Sequence, residues 1–272
     1  MSALNSPVGV AVAGAAGRMG RALIEGILKH PGMQLTAAFD ARGSAAIGSY
    51  ATSEVGSASK ILVGDDAAAA IGVSNCLIDF TKPEATIFHA SLAVAHGSSM
   101  VIGTTGFTSE QKQKIVDASR QIPIVMAANF AVGVNVVFKL AEVAARSLGA
   151  DFDVEIIEAH HKHKVDSPSG TALRLGEVVA GALGRNLYAS AVFGREGITG
   201  ERAADSIAFH SIRGGDIVGE HTVLFAGDGE RVEVTVRSQS RMTYALGALR
   251  AASYVQNCKP GLYDMQDVLG LR

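Results

Sequence analysis

Apolar and polar positions along this chain follow two different rhythms. Residues 8–13 form a short apolar run that ends in glycine, as a buried strand does. Over residues 18–30 the apolar positions Met19, Leu23, Ile27 and Leu28 recur at helical spacing, until Pro31-Gly32 stops them. Residues 33–39 complete a β-α-β unit. Residues 41–59 are small and polar and predict a loop, followed by a short strand over 61–63 and a short helix over 65–71. Strands are then predicted over 76–80, 99–103 and 122–127. A helix over 83–96 starts on Pro83, and another opens at Thr108, where Gln111 completes a capping-box pattern. This alternation predicts a Rossmann-like doubly wound parallel sheet as far as about residue 130.

The second rhythm begins there. A long helix is predicted over 134–148, a strand over 153–159 and a helix over 168–183. Three strand-like runs lie between 206 and 238, separated by Arg213-Gly214-Gly215-Asp216 and Gly227-Asp228-Gly229. In the last run Val232, Val234 and Val236 alternate with polar residues, the pattern of a half-solvated antiparallel sheet. Residues 241–256 are helical again. The chain therefore predicts an α/β fold: a first domain of residues 1–131 and 241–272, and an inserted α+β domain of 132–240 with a mixed, largely antiparallel sheet.

Composition narrows the function classes. Of 272 residues, 48% are apolar and 18% charged, which supplies a packed core and excludes disorder for the bulk of the chain. The net charge of −2 lacks the basic excess of a general nucleic-acid binder. The start of the chain, residues 1–9, has neither the charges nor the cleavage pattern of a signal peptide. Uncharged stretches at 85–109 and 121–138 are interrupted by His, Gly, Pro and Asn, so no membrane span is expected. The two cysteines, Cys76 and Cys258, suggest no disulfide framework and fit a reduced, cytoplasmic setting. Neither sits as a nucleophile would, which argues against a semialdehyde dehydrogenase on the same architecture, and Gly-x-Ser-x-Gly is absent.

Two motifs carry candidate chemistry. Gly14-Ala15-Ala16-Gly17-Arg18-Met19-Gly20 follows a strand and opens a helix. Small residues let a pyrophosphate approach the backbone, and the helix start offers N–H groups and partial positive charge. Asp40 stands 20 residues after Gly20, where an acid would meet an adenosine ribose. The second motif is Glu158-Ala159-His160-His161-Lys162-His163-Lys164, followed by Val165-Asp166-Ser167-Pro168-Ser169-Gly170-Thr171. It joins potential proton donors to a helix start, with Ser167 as the expected N-cap and Pro168 at the first position. The N–H groups of Ser169, Gly170 and Thr171 would then face an anion such as a carboxylate. His160, His161 and His163 lack a convincing fourth ligand, so no metal is expected. A non-catalytic dinucleotide sensor would have no use for this second motif.

These residues carry a resemblance. Val12-Ala-Gly-Ala-Ala-Gly-Arg-Met-Gly20, Gly103-Thr-Thr-Gly-Phe107, Ala127-Ala-Asn-Phe130, Glu158-Ala-His-His-Lys-His-Lys-Val-Asp-Ser-Pro-Ser-Gly-Thr171 and Arg213-Gly-Gly-Asp-Ile-Val-Gly-Glu-His-Thr222 resemble the dihydrodipicolinate reductase family in the expected order. The resemblance implies reduction of a cyclic dicarboxylate by NADH or NADPH in the diaminopimelate route to lysine, by a homotetramer joined through the second domain's sheets. It implies an acid–base pair of His160 and Lys164, and substrate contacts from His161, Gly170 and Thr171. The glycine loop (Gly14, Ala15, Ala16, Gly17, Arg18 and Met19) and Asp40 should hold the adenosine and pyrophosphate. Gly103, Thr104 and Thr105, with Ala127, Ala128, Asn129 and Phe130, should line the nicotinamide end. Many relatives carry arginine directly after the acid. Here Ala41 stands there and Arg42 follows, which favours NADH but leaves NADPH open.

Overall fold

A computed structural model describes residues 6–53 and 59–272. Part of the expected leader-free start and part of the expected loop fall on residues 1–5 and 54–58, which lie outside the described residues. The chain divides into two compact units, Met1–Val132 with Arg241–Arg272, and Gly133–Ser240.

The first unit runs β1 (Val8–Ala13), α1 (Arg18–Lys29), β2 (Met33–Phe39), β3 (Val63–Gly64), α2 (Ala67–Gly72), β4 (Cys76–Asp79), α3 (Pro83–His96), β5 (Ser99–Ile102), α4 (Ser109–Ser119) and β6 (Pro123–Met126). The second contains α5 (Val132–Leu148), β7 (Asp153–His160), α6 (Gly170–Ala182), α7 (Leu187–Ser190), β8 (Ala191–Phe193), β9 (Ile207–Arg213), β10 (Gly219–Ala226) and β11 (Arg231–Ser238). The chain then returns to the first unit with α8 (Met242–Val255), β12 (Gly261–Tyr263) and α9 (Met265–Leu269).

The first unit's sheet has the order β12-β6-β5-β4-β1-β2-β3, and every pair is parallel. Its central strands are buried on both faces, which is why β1 reads as an unbroken apolar run. Val8, Val10 and Val12 join one core with Leu23 and Ile27 of α1 and Ala248 and Leu249 of α8. Ala11 and Ala13 join the other with Ala90 and Ala93 of α3 and Ile115 of α4. A large apolar side chain buried in this way is worth about 1.5–3 kcal/mol. Thr108 caps α4 in the expected reciprocal way, its hydroxyl accepting from Gln111 N–H while the Gln111 side chain accepts from Thr108 N–H.

The second unit's sheet is mixed, in the order β11-β10-β7-β9-β8. β10 runs antiparallel to β7 and β11, whereas β9 runs parallel to β7 and β8. It is thus mixed, as expected, with more antiparallel than parallel residue pairs. The parallel part arises because β7 reaches β8 through α6 and α7, a crossover of the kind that strands running the same way need, and β9 then lies between them. Val154, Ile156, Ile207, Phe209, Val223 and Phe225 turn one face onto α5 and α6. The opposite face carries Glu155, Ile157, Thr222 and Leu224, all partly exposed.

Two local expectations are corrected. The helix start lies two residues later than Ser167-Pro168: the Ser169 hydroxyl accepts from Ala172 N–H at 3.2 Å, so Ser169 is the N-cap. His160 is the last residue of β7 rather than part of a loop, because it continues the pairing with β9 opposite Arg213.

Candidate active site

The expected cofactor residues lie at the carboxyl ends of parallel strands. The glycine loop follows β1, Asp40 follows β2, Gly103 to Thr105 follow β5, and Ala127 to Phe130 follow β6. Strand order reverses between β1 and β4, and the crevice outside such a switch point is where dinucleotides bind in this architecture. The loop fits a pyrophosphate. The N-cap of α1 is Gly17, with no side-chain cap and no acid in the first turn, so the positive end of the helix is left to a ligand. Gly20 is held to glycine by packing, since a Cβ there would overlap the Gly14 carbonyl and meet the Ala15 backbone at 2.8 Å. Asp40 accepts from Ala16 N–H at 3.0 Å and from Ala41 N–H at 2.8 Å. Its carboxylate thereby ties the glycine loop to the end of β2, and Arg42 is exposed beside it.

The basic cluster is built on one face of the second unit's sheet. Glu158 and His160 lie on the same side of β7 as Val154 and Ile156, because side chains alternate along a strand. Register places Glu158 beside Ser211 of β9 and His221 of β10, and His160 beside Arg213. One face is therefore apolar at one end and ionisable at the other, and α6 starts at the ionisable end. Glu158 is 1% exposed. It accepts from Arg213 Nη2 at 2.7 Å and Nη1 at 2.8 Å, from His160 Nδ1 at 2.6 Å and from Ser169 N–H at 3.2 Å.

Burial alone would raise the Glu158 carboxyl, but hydrogen bonds from Arg213, Ser211 and His160 outweigh it and hold it at about 2. For His160 burial wins. Its pKa lies below the ordinary value although Glu158 opposes this, with Lys164 and Arg213 adding to the downward push. The main cause is desolvation rather than the cationic neighbours. His221 is pushed down to about 4, first by burial and then by His160, and shares a 3.0 Å hydrogen bond with the Ser169 hydroxyl.

Lys164 is held by a turn, its N–H donating to the His161 carbonyl at 3.1 Å, and its ammonium lies 2.8 Å from Asp166 Oδ1. Arg213 also donates to the Asp166 carbonyl at 2.7 Å, which fastens this loop to the end of β9. His161 Nδ1 is buried without a hydrogen-bond partner among the described residues. Gly170 and Thr171 occupy the first two positions of α6. Ser169 N–H does not face an anionic ligand as expected, since it donates to Glu158. His160, His161, Lys164, Gly170 and Thr171 all belong to this one unit. Sequence reasoning assigned no role to Glu158, Arg213, Ser211 or His221. Their signal is the two-residue period that carries each strand's core face into ionisable residues, but only strand register brings them together.

The family model described as dihydrodipicolinate reductase, N-terminus, matches residues 8–130, and the one described as dihydrodipicolinate reductase, C-terminus, matches residues 133–269. The 4-hydroxy-tetrahydrodipicolinate reductase of Aromatoleum aromaticum is 59% identical over 100% of this chain and 98% of its own. That of Dechloromonas aromatica is 57% identical over 97% and 98%. A solved structure of dipicolinate-bound dihydrodipicolinate reductase from Paenisporosarcina sp. TG-14 superposes with a TM-score of 0.76 at 27% identity, covering 96% of this chain and 98% of that one. GenD2 from gentamicin A biosynthesis, in complex with NAD, shares the fold with a TM-score of 0.61 at 15% identity, over 99% and 92%. The chain belongs to the dihydrodipicolinate reductase family.

Proposed function

We propose that this protein reduces 4-hydroxy-tetrahydrodipicolinate to tetrahydrodipicolinate with NADH or NADPH, in the diaminopimelate route to lysine. The observation that carries the chemistry is the hydrogen bond from His160 Nδ1 to buried Glu158. An ionised carboxylate only accepts, so Nδ1 keeps its hydrogen and Nε2 alone is left to exchange a proton with a ligand.

Loss of water from the 4-hydroxy ring leaves a conjugated imine. The reduced nicotinamide supplies a hydride to C4. The electron pair released moves through the conjugated system to the ring nitrogen, leaving an enamine-type anion. At that nitrogen, or at C5, the carbon between C4 and the carboxylate-bearing imine carbon, this anion takes up a proton. His160 Nε2 or the Lys164 ammonium donates it, a contribution of about 10²–10⁴-fold for a positioned acid. The lowered His160 pKa leaves Nε2 mostly unprotonated near neutral pH, so the Lys164 ammonium is the standing donor and His160 gives a proton only from its protonated fraction. Lys164, the unpartnered His161 Nδ1 and the first turn of α6 at Gly170 and Thr171 receive the two carboxylates. His221, kept neutral by burial, orients Ser169 without adding charge.

On the cofactor side, Gly14, Ala15, Ala16, Gly17, Arg18 and Met19 hold the pyrophosphate and Asp40 the adenosine ribose. Gly103, Thr104, Thr105, Ala127, Ala128, Asn129 and Phe130 line the nicotinamide end. The first unit is thus the dinucleotide-binding domain and the second the substrate-binding domain. The partly exposed sheet face of Ile157, Thr222 and Leu224 supports assembly as a homotetramer through that second domain. No helix among the described residues is long and apolar enough to cross a membrane, and Cys76 and Cys258 are free thiols; we place the protein in the cytoplasm.

The test is cofactor oxidation started by freshly generated 4-hydroxy-tetrahydrodipicolinate, run separately with NADH and NADPH. Substrate-dependent oxidation of at least one is expected. Oxidation of neither would refute the reading.

A further inference from the structure

The last residue of β4, Asp79, is a buried carboxylate that the assignments above leave unused. A carboxylate survives in such a place only when donors fill its lone pairs. His89 Nδ1 lies 2.8 Å from Oδ2. Thr81 donates to Oδ1 twice, from its N–H at 2.9 Å and its hydroxyl at 2.6 Å. The Thr104 hydroxyl reaches the same oxygen at 3.4 Å and itself accepts from the Thr86 hydroxyl at 2.8 Å. His89 is 8% exposed, with its ring edge-on to Phe39. Asp79 requires Nδ1 to carry the hydrogen.

The place matters more than the pair. β4 lies between β1 and β5, beside the point where strand order reverses. From there Asp79 governs three strand ends. The Thr81 methyl packs where a Cβ on Gly14 would approach to 3.0 Å. The Asp79 carbonyl accepts from Gly103 N–H at 2.8 Å, and its carboxylate accepts from Thr104. The intervening Phe80 ring covers Gly103 so closely that a Cβ there would overlap it, and lies 5.4 Å from the Phe130 ring. A buried polar pair gives no stability that apolar packing would not match, so its use here points to orientation.

We propose that Asp79 and His89 form a positioning pair: His89 fixes the Asp79 carboxylate, which sets Thr104 and the loop of Gly103 to Thr105 in the geometry that receives the nicotinamide. This rests on the reading that this loop lines the nicotinamide end. Neither residue is assigned a contact with substrate or reacting atoms.

The test compares the full-length protein with its His89→Leu and His89→Asn variants, measuring NADH and ADP-ribose binding by calorimetry together with kcat and KM. ADP-ribose lacks the nicotinamide and reports on the rest of the cofactor site. His89→Leu should weaken NADH about tenfold, as loss of one charge-assisted hydrogen bond would, and lower kcat, with ADP-ribose affinity unchanged. His89→Asn, whose amide nitrogen can stand where Nδ1 stands, should restore NADH affinity. If His89→Leu fails to fold, Thr104→Val takes its place, removing the positioned hydroxyl while keeping its shape, with the same split expected. Equal weakening of NADH and ADP-ribose, no weakening of either, or no rescue by asparagine would overturn the proposal. Failure of the unaltered protein to bind NADH would remove the underlying reading, and the proposal with it. Normal binding there with an unaffected variant would remove the proposal alone.

Discussion

Arg213 grips both oxygens of Glu158, with Nη2 2.7 Å from Oε1 and Nη1 2.8 Å from Oε2. This contact keeps a buried carboxylate charged, and that carboxylate in turn fixes the ring of His160. Arg213→Ala would leave Glu158 buried without its main partner and free the segment tied through the Asp166 carbonyl. A loss of about 3 kcal/mol in urea unfolding is expected, at the low end for a broken buried pair because Arg213 keeps some exposure. Turnover should fall with it. Arg213→Lys should recover little of either, since an ammonium cannot make the two-point contact. Unchanged stability in Arg213→Ala would show that Glu158 does not depend on it.

Acid should destabilise the protein in two stages. His221 is pushed from 6.5 to about 4, so between these values the unfolded chain binds a proton that the folded chain refuses, and stability falls as pH drops through that window. Glu155 and Glu158 are both pushed from 4.5 to about 2 by hydrogen bonds that outweigh burial, from Arg195, His210 and Arg202 on the first and Arg213, Ser211 and His160 on the second. Their stabilisation is complete above 4.5 and is lost as pH falls toward 2. His221→Gln can keep the Ser169 hydrogen bond without titrating. Its melting temperature should change less between pH 7 and pH 4 than that of the unaltered protein, with part of the slope remaining through His160, whose pKa is also lowered. An identical profile would exclude His221 from the first stage.

Asp40 joins the glycine loop to the end of β2 through Ala16 N–H and Ala41 N–H. Asp40→Ala should weaken NADH more than NADPH, because it removes a ribose acceptor from one and a repulsive charge from the phosphate of the other. Separate titrations of the two cofactors check this, and equal losses would count against a ribose role.

The two candidate acids should separate kinetically. His160 has one ring nitrogen committed to Glu158, so His160→Gln should act mainly on kcat. Lys164→Ala should lower kcat and raise KM, because an ammonium also pairs with a substrate carboxylate. Lys162, exposed and tethered through its N–H to the Gly215 carbonyl, should tolerate alanine. A KM-only effect at His160, or a large loss at Lys162, would reassign the roles.

Most of the parallel sheet was legible in the sequence because β1, β4, β5 and β6 are short apolar runs that end at glycine or a polar turn, and β1 and β2 span the residues expected. β8 and β12, of three residues each, and α9, of five, were not, since none shows a period or stands out as an apolar run bounded by turn residues. The His160 cluster was visible as a local run. Its supporting residues were not, because Ser211, Arg213 and His221 lie more than fifty positions from Glu158 and meet it only through the register of three strands. Pro168 misled the helix boundary. A proline suits a first turn, but here the cap that forms is the Ser169 hydroxyl two residues beyond Ser167.

The central claim is hydride transfer to a cyclic dicarboxylate, and isotope transfer tests it most directly. Reduced cofactor deuterated at the transferring position of its nicotinamide ring is mixed with 4-hydroxy-tetrahydrodipicolinate and the protein, and the product is analysed by mass spectrometry. One deuterium at C4 of tetrahydrodipicolinate, dependent on the protein and greatly reduced in Lys164→Ala, is the predicted result. Cofactor and dicarboxylate that both bind while no deuterium reaches the ring would contradict it.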